Sequence, residues 1–460
     1  MYYHSTRNSN LNKTFDEIII EGLSSDGGLF MPKTWPKVNT EIILSNNDIS
    51  YDQLASEILQ HYVGNSINKN ELDLITKKSY INFTHKKVAP IKKIDENKFI
   101  LELFYGPTFA FKDYPLQLVG NLFQYYLNKN NKNITVIGAT SGDTGSAAIE
   151  ACRDKDNIKI FILHPSMKTS DIQRKQMTTV MSENVYNIAI NGTFDDCQKI
   201  VKDLFVSNTL KNKTTLSAVN SINWARIISQ TVYFFWAYIQ AKKYDKKVNY
   251  IVPTGNFGNV YAAHVAEIMG LPINKLYVTT NENDIMHRTL KTGDMTLKNV
   301  KSTISPSMDI QISSNFERQL FESLDSNSDD LNTLMLEFYN DKGKQLNDDL
   351  LKKLQKIYSS KSVNDLDTIK TIQYFNEKYN YISDPHTATS LDVLSNIKNN
   401  DLNISLACAH PAKFPDSIEK AIGIDVEKPK NLKEILDKKE KYTVMENNFT
   451  KVQNYILEKI

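Results

Sequence analysis

Residues 106–115 read GPTFAFKDYP, and residues 253–259 read PTGNFGN. The first segment sets Lys112 between Phe109, Ala110 and Phe111 on one side and Tyr114 and Pro115 beyond Asp113. An apolar wall disfavours the charged form of an amine and lowers its pKa. A neutral amine is what condensation with an aldehyde requires. The second segment puts small residues at the mouth of a helix, where free backbone N–H groups bind phosphate. An imine-forming lysine and a phosphate loop are the two fixed requirements of an enzyme that uses pyridoxal 5'-phosphate. Taken locally, each segment also has a plainer reading: a surface lysine and an ordinary strand-to-helix turn. Their combination points to one chemistry.

Two more polar segments accompany them. TSGDTG at 140–145 offers the hydroxyls of Thr140, Ser141 and Thr144 together with free N–H groups. That suits a carboxylate or a second phosphate, and equally a simple helix cap. NSINWAR at 220–226 places Arg226 one to two turns after Asn220 and Ser221. Arginine is the preferred partner of a phosphate dianion, although taken alone Arg226 reads as an exposed helix-surface residue. PTGNFGN is not the dinucleotide fingerprint, whose glycine spacing differs, and it lacks the Gly-Lys-Ser/Thr ending of a Walker loop. His386 in SDPHTATS and His410 in ACAHPAKFP have no partner at metal-ligand spacing. Both read as hydrogen-bonding wall residues, and no metal is expected.

The elements that must position these residues alternate. From about residue 97, FILELF, NITVIGA, IKIFILH, VYNIAI, YIVPTG, KLYVTTN and ISLACA read as strands. Helical spacing follows several of them, as in DDCQKIVKDLF and NVYAAHVAEIMG, and a long helix is predicted from about Asn223 to Lys243. Strand, loop and helix in repetition predict an α/β protein with parallel sheets covered on both faces. Ligands bind such sheets at the carboxyl ends of the strands, where all three small-polar loops fall. The first ninety or so residues read as separate, with a Gly27–Gly28 turn and a helical pattern through Leu54, Ile58 and Tyr62. Residues 283–380 read as a helical insertion with few strand signals, and the tail beyond Phe414 as helical and charged.

A chain of 460 residues predicts two or three domains. Lys and Arg total 55 against 53 Asp and Glu, a balance that argues against a nucleic-acid partner. The cluster Lys242, Lys243, Lys246 and Lys247 follows an apolar helix and suits its negative end. Three widely spaced cysteines imply neither a disulfide framework nor a zinc site. The N-terminal MYYHSTRNSN lacks an apolar signal core. The apolar run Val232 to Ile239 falls far short of the roughly 20 residues a membrane span needs. A cytoplasmic protein without a membrane partner is expected.

The segments STR, GLSSDGGLFMP, GPTFAFKDYPLQ, TSGDTGSAA, NSINWAR, PTGNFGN, DPHTA and AHPAKFP together resemble the threonine synthase family of pyridoxal-phosphate enzymes. The resemblance runs nearly end to end. It implies a two-lobed fold of type II with an additional N-terminal domain. Residues 1–95 would form that domain, and 96–130 with 216–425 the large cofactor-binding lobe, including the 283–380 segment. Residues 131–215 would form a small mobile lobe and 426–460 a helical tail. It implies Lys112 as the catalytic, cofactor-bearing lysine, and Gly255, Asn256, Phe257, Gly258 and Asn259 as the cofactor phosphate loop. Asp143 would lie near the cofactor's ring hydroxyl. Thr140, Ser141, Thr144, Asn220, Ser221 and Arg226 would hold a substrate phosphate. Relatives usually place Thr or Ser where this chain has Cys408, beside the pyridine nitrogen; a thiol is a weaker donor and acceptor. The implied reaction turns O-phospho-L-homoserine and water into L-threonine and phosphate, in a monomer or homodimer. The alternatives are a serine/threonine dehydratase-like lyase and a non-catalytic relative; the Arg226 pocket speaks against the first.

Overall fold

The computed structural model describes every residue except Asn47, Ser141, Met167, Lys168, Val219, Asn220, Tyr244 and Asp245, and the side chains of Glu41, Ile42 and Ser45. Fourteen strands are found among the described residues. In chain order they are β1 (Tyr3–Ser5), β2 (Asn8–Lys13), β3 (Phe30–Pro32), β4 (Ile91–Asp95) and β5 (Lys98–Glu102). They continue with β6 (Ile134–Ala139), β7 (Ile158–Pro165), β8 (Val185–Asn191), β9 (Thr215–Ser217) and β10 (Val248–Pro253). The last are β11 (Ile273–Thr280), β12 (Tyr358–Ser362), β13 (Leu402–Ala407) and β14 (Thr443–Glu446).

They form three sheets, in the orders β2-β1-β3, β12-β11-β10-β13-β5-β4 and β14-β8-β7-β6-β9. Every pairing in the third sheet is parallel. So is every pairing in the second except the β4–β5 hairpin. The reason is visible in the strands themselves. β7 reads IKIFILHP and seven of its eight residues are buried, the continuous apolar run expected where helices cover both faces. The fold is therefore the α/β architecture expected, with an N-terminal domain ahead of it.

Strand order sets the site. β10, β13 and β5 are adjacent and parallel. Their carboxyl ends deliver, side by side, the 253–259 loop, Cys408 and the segment ending at Lys112. In the other sheet β6 and β9 are adjacent and parallel. They deliver the 140–145 loop and the segment that runs into Arg226. The helix Trp224–Ala241 is apolar almost all round and buried along its length apart from Gln240, as a helix in the middle of a large protein must be. It packs between the helices Tyr51–Val63, Asp113–Asn130 and Gly258–Ile268, so the N-terminal domain and both phosphate-loop candidates share one core.

Four expectations need correction. Residues 283–380 are not purely helical: β12 pairs with β11 along the large sheet, from Leu276↔Tyr358 to Thr280↔Ser362. The tail is not purely helical either, because β14 pairs with β8 at the edge of the small sheet. β4 belongs to the large sheet, so that sheet begins at residue 91 rather than beyond 95. β9, at 215–217, completes the small sheet. All four are short edge strands or edge neighbours whose polar residues give little period-two signal.

Candidate active site

Lys112 stands at the N-terminal mouth of the helix Asp113–Asn130. The chain before it is pinned to the end of β13. Phe111 N–H donates to the Cys408 carbonyl at 2.8 Å, His410 N–H donates to the Phe109 carbonyl at 3.0 Å, and Ala110 bridges Ala409. Lys112 is only 8% exposed. Its Nζ donates to Ser307 Oγ at 3.3 Å and lies 3.7 Å from Asp143 Oδ2. Burial pushes the amine below its ordinary pKa; Asp143 opposes this, while Lys413 and Arg226 reinforce it. The plain reading of Lys112 as a surface residue is thus wrong.

Asp143 opens the helix Asp143–Cys152 of the small sheet's layer. Its Oδ1 is 2.7 Å from the Nζ of Lys413, a lysine with no exposed surface, and accepts a hydrogen bond from Gln173 Nε2 at 2.9 Å. Burial alone would raise its pKa, but Lys413 and then Lys112 hold it well below the usual carboxylate range. Lys413 also donates to the Thr108 carbonyl at 2.8 Å. Ser307 in turn donates its N–H to His386 Nε2 at 3.2 Å, and His386 Nδ1 meets Asp384 Oδ1 at 2.8 Å. Both histidines are wall residues of the kind expected: His410 Nδ1 accepts the Ala412 N–H at 3.2 Å. Among the described residues no cluster of His, Cys, Asp and Glu could hold a metal ion.

The two loops differ in detail. Phe257 sits at φ 62°, a strained left-handed value for a residue with a side chain, just before the helix Gly258–Ile268. A Cβ at Gly255 would come within 2.9 Å of the Ser307 carbonyl, and one at Gly258 within 3.1 Å of Asn315 Nδ2. Tyr233 donates to Asn259 Oδ1 at 2.5 Å, leaving Asn259 Nδ2 buried with no partner among the described residues. Asn256, by contrast, is exposed, and its carbonyl accepts two bonds from Asn315. In the 140–145 loop, Thr140 Oγ1 accepts the N–H groups of Gly142 and Gly145, both at 2.9 Å. Gly142, not Thr140, is the N-cap of the following helix, so Thr140 braces the loop from outside it and keeps only its proton to offer. Thr144 and Ser221 are half-buried. Arg226 is 4% exposed, not a surface residue, and burial lowers its pKa to about 10. Ser141 and Asn220 lie outside the described residues.

Residues 2–80 match the family described as threonine synthase N terminus, residues 92–343 that of pyridoxal-phosphate dependent enzymes, and residues 387–456 threonine synthase, C-terminal. The chain is 40% identical to threonine synthase of Pseudomonas aeruginosa, over 99% of this chain and 98% of that protein. It is 43% identical to threonine synthase of Saccharomyces cerevisiae, over 91% of this chain and 89% of that one. A crystal structure of PLP-bound threonine synthase from Brucella melitensis superposes with a TM-score of 0.97 at 39% identity, covering 100% of this chain and 99% of that one. The chain belongs to the threonine synthase family. It is a pyridoxal-phosphate-dependent lyase.

The residues of this threonine synthase family member fit that cofactor. A buried amine whose charged form burial disfavours suits an aldehyde partner. The unpartnered Asn259 amide and the crowded Gly255 backbone make a cradle with donors to spare. Burial pushes the Cys408 thiol well above its ordinary pKa, so the group beside Lys112 is neutral. Several residues that complete the site escaped the sequence reading: Lys413, Ser307, Asp384 as the partner of His386, Gln173, Asn315 and Tyr233. Lys413 had a signal, since Ala412 and Phe414 flank it as apolar residues flank Lys112. Ser307 had none, because its contacts with Lys112 and His386 are long-range.

Proposed function

We propose that the chain converts O-phospho-L-homoserine and water into L-threonine and phosphate. One observation carries this: two anion-suited loops, from the carboxyl ends of strands in two different sheets, flank the buried Lys112 amine, while the other buried lysine of the site, Lys413, is taken up by Asp143. The N–H groups of 255–259 and the Asn259 amide would hold the cofactor's phosphate, with Lys112 carrying it, Asp143 by its ring hydroxyl and Cys408 by its ring nitrogen. When bound, pyridoxal phosphate supplies an electron-accepting ring that stabilises negative charge on the substrate. Lys112 Nζ holds and moves the protons, and the Ser307 hydroxyl orients that amine between transfers. Arg226, with Thr144, Ser221 and the Ser141 and Asn220 positions, binds the substrate phosphate and stabilises the charge it gains on leaving. Thr140 shapes the loop that presents them. Gln176 Nε2, donating to the Thr108 carbonyl at 2.9 Å, and Asp143 close the small lobe, about 131–215, over the site and limit access of water.

Among the described residues no helix is long and apolar enough to cross a membrane, and all three cysteines are free and buried. A cytoplasmic monomer or homodimer without nucleic-acid partners is the setting we assign. The test is threonine and phosphate formation from phosphohomoserine by the purified protein, with its visible absorbance followed in parallel. Lys112→Ala should abolish turnover and the absorbance together. A variant that still makes threonine, or a parent protein that only forms an oxoacid from threonine, would overturn the reading.

A further inference from the structure

The helix Phe316–Ser323 touches neither the Lys112 amine nor the Cys408 thiol, yet it carries a guanidinium with no exposed surface. Arg318 reaches three separate pieces of chain. Its Nε and Nη2 donate to the Phe30 carbonyl in β3 at 3.2 and 3.1 Å, and Nη2 also donates to the Ile222 carbonyl at 2.6 Å. Its Nη1 donates to Asn315 Oδ1. Its guanidinium stacks 5.5 Å from the Trp224 ring. Asn315, so oriented, turns its amide the other way. Nδ2 donates to the Asn256 carbonyl at 3.0 Å and to the Ser221 carbonyl at 3.2 Å, and the Asn315 N–H donates to Asn256 as well at 3.1 Å.

One residue pair therefore ties the loop assigned to the cofactor phosphate, the loop assigned to the substrate phosphate, and the N-terminal sheet. We infer that the Arg318–Asn315 clasp sets the distance between the two phosphate sites and so helps select a substrate of the right length, with Arg318 as a positioning residue. This rests on the reading of the two loops given above. A planar fork spreads fixed donors from three nitrogens over the three acceptors, whereas the three donors of a lysine radiate from one atom and lack that reach. Burial lowers Arg318 to a pKa of about 10, so it remains charged at neutral pH. The clasp also gives the N-terminal domain a task at the site, since β3 supplies one of its acceptors.

The two loops are not equally dependent on it. The cofactor loop keeps other ties, with Ser313 Oγ donating to the Gly255 carbonyl at 2.6 Å and Tyr233 holding Asn259. The substrate segment has a further tie at Asn223, whose Nδ2 donates to the Ile19 carbonyl at 3.0 Å, but Ile222 and Ser221 themselves are held by Arg318 and Asn315. Arg318→Lys should therefore raise both KM for phosphohomoserine and the inhibition constant of inorganic phosphate about tenfold, with affinity for pyridoxal phosphate changed less than about threefold. Asn315→Ala should weaken phosphate inhibition and cofactor affinity together, each about tenfold. Glu317, the next residue, accepts from Thr6 Oγ1 at 2.6 Å and pairs with Arg7 at 2.9 Å. It grips the N-terminal sheet but neither loop, so Glu317→Gln should leave all three constants within about twofold.

Threonine formation is the readout, since phosphate is the added inhibitor. A parent protein that makes no threonine from phosphohomoserine removes the functional reading itself. A parent that does, with Arg318→Lys indistinguishable from it or Glu317→Gln equally impaired, removes the clasp. A purely structural role would lower the melting temperature and the active fraction without moving KM or phosphate inhibition. If Arg318→Lys does not fold, Asn315→Ala decides: unchanged cofactor affinity and phosphate inhibition would overturn the inference.

Discussion

At the scale of single residues, the site is a problem in placing charge where water is scarce. Lys112, Lys413 and Arg226 are buried basic side chains, and Asp143 lies between the two lysines at 3.7 and 2.7 Å. A buried ion pair adds little over an apolar pair, but removing one member leaves a charge stranded. Lys413→Met should cost about 3 kcal/mol of stability, read as a fall in the urea midpoint. A loss below about 1 kcal/mol would show that Lys112 and Gln173 suffice for Asp143. Lys112 was legible because its apolar neighbours lie next to it in sequence. The same logic applied to Lys413 between Ala412 and Phe414, and a buried lysine there needs an acid, which Asp143 could have been. Ser307 was not legible: nothing beside it in the chain marks a serine that meets Lys112 and His386 through tertiary structure.

At the scale of elements, the long buried strands and amphipathic helices followed from their apolar periodicity. NITVIGA and IKIFILH appear as β6 and β7, and the long helix predicted from Asn223 occupies Trp224–Ala241. What sequence did not reveal was β2, β12 and β14, whose exposed residues are Asn and Ser in β2, Lys361 in β12, and Val444 with Glu446 in β14. Their strand state is decided by the partner edge, not by propensity. One inter-helix contact carries a testable pH dependence. His264, on the helix Gly258–Ile268, lies between Glu267 at 3.0 Å and Glu322 of the helix Phe316–Ser323 at 3.5 Å. Burial opposes its charge, but the two carboxylates prevail and push its pKa up to about 9. A group raised in the folded state stabilises fully below its unfolded pKa, about 6.5, and that contribution is lost as pH climbs through the folded value. The melting temperature should accordingly drop between about pH 7 and pH 9.5, and His264→Gln should flatten the drop. Parallel profiles for the two proteins would exclude His264 as the source.

At the scale of the molecule, the C-terminal segment reaches from the large sheet to the five-stranded one. It follows the helix Pro415–Ile422. At the helix Asp171–Thr178, Glu440 takes two hydrogen bonds from Arg174, at 2.9 and 3.1 Å, and one from Thr178 at 2.6 Å. β14 then extends the small sheet, and the helix Phe449–Lys459 covers it through Val452 and Ile456. A chain stopped after residue 440 should bare the β8 edge and the apolar face behind it, and self-associate. Gel filtration would show this; a truncated chain with unchanged elution and activity would remove the strap's importance.

That arrangement also governs when the enzyme can come into being. β8 is synthesised well before β14, with β10, β11, β12 and β13 of the large sheet translated in between. While the ribosome works through that stretch, the nascent β8-β7-β6 sheet carries an open β edge and an uncovered greasy face, the condition that attracts holding chaperones. Growth of the polypeptide therefore times the moment at which that edge is capped.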